Sequence, residues 1–478
     1  MKKQVWAIVL VLVLLAGLVS GCGGTASSST GSDASQAEST DSAGGEQVEG
    51  IGTVEDEAAE GRTTVIFYHW TPLIEMEAMV EEYNKSQDEI YLVYKMIPDS
   101  SNSMAQMNTM LLAGEEMDIT SGQSSVDLQL RCSNGLLAPL DDLFAENGLN
   151  YEETFGEVAK SCVTGVDGKL YSMPYAIKTY AIIYNKEIFD NAGVPYPENG
   201  WTWDEFTDTA LEVTSGEGAD KIYGVCWDFD KMFLRAALDL GLDAVYKEGG
   251  KETNFDDPAW LNSMKWFNNL FEIGAAKPYS EYAELSLTET ANRNSYFWDG
   301  KFAMYCGTTF EFANWGMLED NAHDFECGVV ALPVENKGDD YRTLFQFSDI
   351  SLVSYSKNKE AAFDFMYWYC VERPDITCGE KHMQAPAAYP DDPEIAKIAD
   401  EKIYGCDGFD MEETMWAYKS DEILQRPDYT FSTIATSLSE IRDVMKAEGE
   451  LVLFGEQTPE DAVAHMKEQG DAILAQAQ

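Results

Sequence analysis

Large aromatic and small polar side chains follow two predicted strands near the start of the folded chain. Trp70 ends a strand predicted over residues 64–70, and the polar stretch 121–125, which includes Gln123, follows a short strand over 117–120. In sheets of parallel strands with helices on their faces, ligands commonly bind to the loops at the carboxyl ends of the strands. These positions therefore predict an edge of the sheet that presents an aromatic face and small polar groups to a ligand.

An aromatic ring and a carboxylate also stand side by side at Trp227 and Asp228. Sugars expose apolar C–H faces, which rings cover, and hydroxyl edges, which carboxylates and amides bind. The pair therefore suits a sugar. The alternative for either tryptophan is packing in the core, because Trp is highly buried on average.

No sequence pattern typical of catalysis or metal binding is present. The chain lacks G-x-S-x-G, H-E-x-x-H and P-loop patterns. Beyond Cys22 it has eight cysteines without a C-x-x-C pair, and it has four histidines in all. We therefore expect no catalytic residue, no metal site and no cofactor. A buried free thiol is expected at Cys370, whereas disulfide pairing stays open because an exported location permits it.

The N-terminus has the pattern of a lipoprotein signal. Lys2 and Lys3 precede an apolar run over residues 5–19, and small residues lead to Cys22. This arrangement resembles the bacterial lipobox, in which the peptide is cut before the cysteine and the thiol carries a lipid. We expect residues 1–21 to be a signal peptide and the mature protein to be held at the outer face of the cytoplasmic membrane. An uncleaved anchor helix is the alternative.

Composition separates a tether from the folded part. Residues 22–61 hold the expected lipidated cysteine and then a Ser-, Gly- and acid-rich stretch without Lys or Arg up to 61, which is typical of a disordered tether with a reach of about 35 Å. The remaining chain is long enough for at least two lobes. A formal net charge of −52 argues against nucleic acid as a partner, because such binding requires a cationic surface.

Strand and helix patterns alternate after the tether. Strands are predicted over 64–70, 90–97 and 117–120, with helices between them, and this alternation predicts a parallel sheet with helices on its faces. Thr202 and Glu205 form the sequence pattern of a helix capping box. A further amphipathic helix is predicted over 359–372. The fold class is therefore α/β.

Six segments carry a family resemblance in order along residues 62–478. They are 135–143 (GLLAPLDDL), 167–175 (DGKLYSMPY), 182–205 (IIYNK, then AG and WTWDE), 300–307 (GKFAMYCG), 356–362 (SKNKEAA) and 458–462 (TPEDA). The set resembles the extracellular solute-binding proteins of ABC importers, the family that includes maltodextrin-binding protein.

This resemblance implies a two-lobed clamp of the type II periplasmic-binding-protein kind, with the ligand between lobes that are each a sheet flanked by helices. Lobe 1 would comprise 62–174 plus about 333–372, and lobe 2 would comprise 175–332 plus about 373–478. Besides Gln123, the expected ligand contacts are Trp70, Lys178, Tyr180, Trp227, Asp228, Thr309, Phe310, Glu311, Asp349, Tyr429 and Phe431.

The resemblance further implies a receptor that binds a mono- or oligosaccharide by hinge closure and delivers it to the ABC permease. We expect a lipid-anchored monomer that performs no chemistry. Lys178 replaces the acidic residue of maltodextrin-binding protein, so it could face solvent, pair with an acid or recognise an anionic sugar. The alternatives are the same fold binding a polyamine, an organophosphate or a metal complex, and a surface polysaccharide hydrolase.

Overall fold

The computed structural model describes residues 49–53, 55–71, 73–97, 103–122, 125–227, 229–287, 290–316, 323–377 and 385–477. The predicted signal, Cys22 and most of the predicted tether lie outside the described residues, as do the candidate site residues Gln123 and Asp228. Among the helices in these ranges, none combines the length and the apolar character needed to cross a membrane.

The strands are numbered in chain order. They are β1 (Glu49–Ile51), β2 (Thr63–His69), β3 (Ile90–Met96), β4 (Ile119–Gly122), β5 (Ser172–Lys178), β6 (Tyr180–Asn185), β7 (Tyr223–Cys226), β8 (Phe302–Thr308), β9 (Cys327–Ala331), β10 (Tyr341–Leu352), β11 (Ala385–Pro386) and β12 (Ile423–Pro427).

The α-helices are numbered in the same way. They are α1 (Leu73–Ser86), α2 (Ser103–Ala113), α3 (Ser125–Ser133), α4 (Asp141–Glu146), α5 (Tyr151–Val163), α6 (Lys186–Ala192), α7 (Trp203–Glu212), α8 (Leu234–Leu240), α9 (Pro258–Glu272), α10 (Tyr279–Glu284), α11 (Thr290–Trp298), α12 (Thr309–Gly316), α13 (Lys359–Tyr367), α14 (Pro374–Thr377), α15 (Pro393–Tyr404), α16 (Met411–Lys419), α17 (Leu438–Leu453) and α18 (Pro459–Ala477). Short 3₁₀ turns at Phe229–Phe233 and Tyr429–Phe431 matter for the site below.

The first sheet has the strand order β1-β3-β2-β4-β10-β5-β11, and β12 pairs with β10. β2 is parallel to β3 and β4 because α1 and α2 each return the chain to the same edge of the sheet. Phe67, Leu92 and Ile119 from the three predicted strands are fully buried in its core. The predicted parallel arrangement is therefore correct for β2, β3 and β4, whereas the sheet as a whole is mixed, because the pairs β1–β3, β4–β10, β10–β5 and β5–β11 are antiparallel.

The second sheet has the order β7-β8-β6-β9. Its core includes buried apolar residues of α7, α9, α17 and α18. α7 begins with the predicted capping box: the Glu205 amide donates to the Thr202 hydroxyl at 3.2 Å, and the Thr202 amide donates to the Glu205 carboxylate at 2.8 Å. Two sheets flanked by helices confirm the predicted α/β fold class.

The chain first passes between the sheets at Thr179, which separates β5 from β6. The predicted lobe boundary after Pro174 therefore lies inside β5. Pro174 does not interrupt the strand, because it pairs with Asp349 where the register shifts between Ser348 and Asp349, and prolines are tolerated at such irregularities. The second passage, between β9 and β10, spans residues 332–340 and includes the predicted position at 332–333.

The last return to the second sheet comes later than predicted. The helix predicted over 359–372 is present as α13 followed by a π-helical turn at Trp368–Glu372. β11 still pairs with β5 in the first sheet, whereas Ile403 of α15 packs in a core with Ile183 of the second. The first-lobe part that was expected to end near 372 thus includes Ala385–Pro386.

Regular structure is also present before the predicted tether boundary at 61. β1 pairs antiparallel with the edge strand β3, and Tyr91 donates from its hydroxyl to the Asp56 carboxylate at 2.7 Å. Gly50 permits this approach, because a Cβ there would lie 2.5 Å from the Tyr94 carbonyl oxygen. Composition does not reveal this pairing, because an open sheet edge binds backbone groups whatever the side chains are.

Candidate functional site

Trp70 lies directly after β2 and is held against His69. The two rings stack with centres 5.2 Å apart. The buried His69 ring accepts the Thr71 amide at Nδ1, so a neutral ring carries its proton on Nε2, which is 3.0 Å from the Tyr175 hydroxyl. Among the described residues the indole N–H of Trp70 has no hydrogen-bond partner. Trp70 thus offers a fixed, partly exposed ring at the strand end where a ligand was predicted, while its indole nitrogen is buried.

An open depression of about 470 Å³ lies where the two lobes meet. Its polar and aromatic lining includes Tyr180, Lys231, Gln346, Tyr429 and Arg442. Tyr180 begins the second sheet, whereas Gln346 lies in β10 of the first, so both lobes contribute. The structure therefore brings the predicted site residues Tyr180 and Tyr429 together.

The polar wall of this depression is a connected set of hydrogen bonds. The Tyr180 hydroxyl is 3.4 Å from the Gln346 Oε1, and the Gln346 Nε2 donates to the Asp428 Oδ2 at 3.1 Å. The Asp428 Oδ1 accepts from the Thr430 amide at 2.8 Å and caps the Tyr429–Phe431 turn. Sequence reasoning missed Gln346, Asp428 and Lys231. Only the Asp-x-Thr pattern before the turn carried a local signal.

Lys178 ends β5 next to the depression. The backbone register places it opposite Gln346, and its Nζ lies 5.1 Å from the centre of the Phe310 ring. Burial lowers the pKa of Lys178, while the charge of Glu311 opposes that shift. Among the described residues, no carboxylate oxygen lies within 4.0 Å of the Lys178 Nζ, which is the distance limit for an ion pair. The predicted residues Lys178 and Phe310 are therefore neighbours.

The side chains of Thr309 and Glu311, which were predicted to contact the ligand, form hydrogen bonds within the protein instead. The Glu311 amide donates to the Thr308 hydroxyl at 3.2 Å, and the Thr308 amide donates to the Glu311 carboxylate at 2.8 Å, which forms a capping box for α12. The other Glu311 oxygen accepts from the Tyr305 hydroxyl at 2.9 Å. Thr309 is fully buried and donates to the Ile177 carbonyl at 3.0 Å. Both side chains are thus already engaged by the protein.

Trp227 and Phe431 are core residues, contrary to the prediction. Trp227 is 3% exposed and lies with ring centres 5.1 Å from Trp266 and 5.3 Å from Phe206. Phe431 is buried and stacks on Phe347 at 4.3 Å. Residues of neighbouring helices and strands cover both rings.

Asp349 is buried inside the first sheet and does not line the depression. It faces Gly122 across the strand pair, where a Cβ would lie 2.7 Å from its carboxylate oxygen. Burial raises the pKa of Asp349 to about 6, and the positive charge of the buried Arg131 opposes the shift while Asp127 adds to it. Arg131 itself donates to the Ser121 carbonyl and to Asn108. Because burial disfavours the ionised carboxylate, Asp349 makes the fold less stable at neutral pH than at acidic pH.

Asp349→Asn is expected to raise the melting temperature above pH 6 and to leave it nearly unchanged at about pH 4. The folded-state pKa of about 6 exceeds the ordinary value of about 3.9, so the wild-type carboxyl stabilises the fold below pH 4 and loses that contribution as the pH rises through 6. Thermal melts of both proteins across this range test the prediction. A constant difference in melting temperature at every pH would contradict it.

Comparison with known proteins places this fold among binding proteins. Residues 71–369 match the family model described as bacterial extracellular solute-binding protein. The maltotriose-binding protein of Pyrococcus abyssi is 23% identical over 66% of this chain and 64% of its own length.

Solved structures share the fold at low identity. An ABC substrate-binding protein of Listeria monocytogenes in complex with cycloalternan superposes with a TM-score of 0.66 at 21% identity, covering 87% of this chain and 99% of that one. A sugar transporter protein of Rhizobium etli in an open conformation gives 0.69 at 21% identity, covering 86% and 99%.

Proposed function

The chain belongs to the family of bacterial extracellular solute-binding proteins, and from that premise we propose that it binds a carbohydrate between its lobes for delivery to an ABC permease. One observation carries the proposal: the depression between the lobes is lined by the rings of Tyr180 and Tyr429 and by the Gln346–Asp428 hydrogen-bonding wall. Rings cover the C–H faces of a sugar, and amide and carboxylate groups bind its hydroxyls.

Both lobes would have to contact the ligand for binding to close the clamp. Tyr180 belongs to the second sheet and Tyr429 packs against the core of that lobe, whereas Gln346 lies in β10 of the first sheet. A carbohydrate that contacts both lobes would bind the closed state more tightly than the open state. This difference in affinity would shift the population toward the closed state. Trp70, whose ring is partly exposed at the end of β2, would add an aromatic face from the first lobe. The proposed role is binding and release without chemical conversion.

The anchoring of the protein rests on sequence alone. The polar, acidic stretch after Cys22 and the lipobox-like residues before it support a lipidated cysteine and a tether that keeps a monomeric receptor near the permease at the outer face of the membrane. The family is extracellular by description, which agrees with this location.

A thermal-shift screen over neutral and acidic mono- and oligosaccharides, followed by calorimetric titration, tests the proposal. At least one carbohydrate should raise the melting temperature, because a ligand at a hundredfold excess over Kd adds about 2.7 kcal/mol of stability. Chromatography should recover this carbohydrate unchanged. Tyr429→Ala should weaken binding by about 1–3 kcal/mol, because it removes a ring from the depression.

Tyr355→Ala is the matched control. Tyr355 is also a partly exposed tyrosine, but it follows the other end of β10, so its removal should leave affinity unchanged. The proposal fails if no carbohydrate binds, or if the recovered sugar is shortened. Equal loss of affinity in both variants would remove Tyr429 from the site.

A further inference from the structure

The carboxylate of Asp428 joins two parts of the depression. Asp428 is buried and lines the depression. Its Oδ1 accepts from the Thr430 amide at 2.8 Å and from the Thr430 hydroxyl at 2.7 Å. Its Oδ2 accepts from the Gln346 Nε2 at 3.1 Å. Both carboxylate oxygens thus hold other groups of the site, which indicates that Asp428 arranges these groups.

The carboxylate fixes the direction of the Gln346 side-chain amide. An ionised carboxylate can only accept hydrogen bonds, so the Gln346 atom that faces Asp428 has to be the nitrogen. The amide oxygen then faces the Tyr180 hydroxyl, which lies 3.4 Å from it and can donate to it. The reversed amide would place two acceptor oxygens against each other. Asp428 therefore sets the orientation of the amide that links it to Tyr180.

This orientation leaves one N–H of Gln346 available to a ligand. A glutamine nitrogen carries two donor hydrogens, and the Asp428 carboxylate uses one of them. Within the described part of the chain the second donor has no hydrogen-bond partner. The Gln346 side chain is partly exposed and lines the depression. The wall thus presents a donor at a defined position, where a sugar hydroxyl or ring oxygen can accept.

The same carboxylate holds the turn that carries Tyr429. Asp428 is the N-cap residue of the Tyr429–Phe431 turn, which its side chain caps through the Thr430 amide. The Asp428 amide donates to the Phe345 carbonyl at 3.0 Å, and Phe345 precedes Gln346 in β10. The turn is therefore fastened to the strand that carries the amide donor, which fixes the turn relative to that donor.

We propose that Asp428 is a positioning residue, which directs the second N–H of Gln346 at an acceptor oxygen of the bound carbohydrate and holds the ring of Tyr429 beside it. This inference rests on the proposed carbohydrate-binding function and deepens it, because it names the hydrogen bond that recognises one oxygen of the ligand. Asp428 acts through these two residues and not through a ligand contact of its own.

Asp428→Asn tests the orientation of the amide separately from the cap. Asparagine still accepts from the Thr430 amide, but its side-chain nitrogen faces Gln346 and favours the reversed amide. Calorimetric titration uses maltotriose, cellotriose and xylotriose. The affinity for each of these sugars that binds the wild type should fall about two- to tenfold, as for one lost hydrogen bond, while the melting temperature changes little. Asp428→Ala also loses the cap, so it should bind more weakly and melt lower.

An exchange of the two side-chain types distinguishes positioning from a purely structural role. Gln346→Glu places a second carboxylate against Asp428, so it should lower both the melting temperature and the affinity. Combining Gln346→Glu with Asp428→Asn restores a pair of amide and carboxylate in the reversed order. A purely structural pair would then recover melting temperature and affinity together. The positioning role predicts recovery of the melting temperature alone, because position 346 no longer carries an N–H for the ligand.

Asp392→Asn is the matched control. Asp392 is an exposed aspartate that caps α15 and accepts from the Glu394 amide at 2.9 Å, so its substitution should leave the affinity at the wild-type value. Wild-type affinity in Asp428→Asn, or affinity restored in the double variant, would overturn the inference and leave the proposed function standing. A wild-type protein that binds none of the three sugars would count against the proposed function, and the inference would fail with it.

Discussion

Trp227→Ala should lower the free energy of unfolding by about 3–5 kcal/mol, as expected for truncating a buried tryptophan. The ring contacts Trp203, Phe206 and Trp266 edge-on or tilted, and its side chain is 3% exposed. Removing it leaves a cavity between the second sheet and α7 and α9. A ligand-facing ring would contribute much less to stability.

Chemical denaturation of Trp227→Ala beside Trp70→Ala measures this difference. Trp70 is only partly buried at the end of β2, so its removal should cost little stability and should instead weaken carbohydrate binding. Trp227→Phe should recover part of the lost stability. A Trp227→Ala protein that unfolds like wild type but binds sugar poorly would return Trp227 to the ligand site and contradict the structure.

Thr343→Val should cost about 1–3 kcal/mol, the usual penalty for a buried backbone group without a partner. The buried Thr343 hydroxyl donates to the Tyr180 carbonyl at 3.0 Å and accepts from the Tyr180 amide at 2.8 Å. Valine has the same shape but neither function. The loss is at the passage between the lobes, so it should also alter ligand affinity.

Thr109→Val is a suitable control for this substitution. Thr109 is exposed on α2, and among the described residues its hydroxyl bonds to the Ala105 carbonyl one turn earlier, so the expected change is within about 0.5 kcal/mol. Thr343→Ser should restore most of the stability because it keeps the hydroxyl. Equal stability of the two valine variants in denaturant titrations would show that the Tyr180 backbone finds other partners.

Periodicity and capping patterns were sufficient to predict β2, β3 and β4 of the first lobe and the start of α7 in the second. The strand at 63–69, the strand at 90–96 and the helix after Thr202 all depend on local spacing of apolar residues and on one local hydrogen-bonding pattern. The same capping pattern at Thr308 and Glu311 was visible in the sequence. It predicts a helix-capping role for Glu311, whereas the family resemblance implies a ligand contact.

The sequence does not distinguish the aromatic residues that line the depression from those that are buried in the core. Tyr180, Trp227, Tyr429 and Phe431 are all rings beside apolar neighbours, yet only the two tyrosines line the depression. Which ring is covered depends on helices and strands distant in sequence, such as α9 over Trp227. The pairing of β1 with β3 was unpredictable for a related reason, because a backbone edge leaves no side-chain pattern.

Hydrogen–deuterium exchange with and without a saturating carbohydrate tests the central claim most directly. If the ligand lies between the lobes, amides at 178–180 and 229–234 and at 344–346 and 428–431 should become protected together, because these segments border the depression from both sheets. The exposed surface around Tyr355 should exchange as before. Protection confined to one lobe, or protection elsewhere with these segments unchanged, would contradict a carbohydrate site between the lobes.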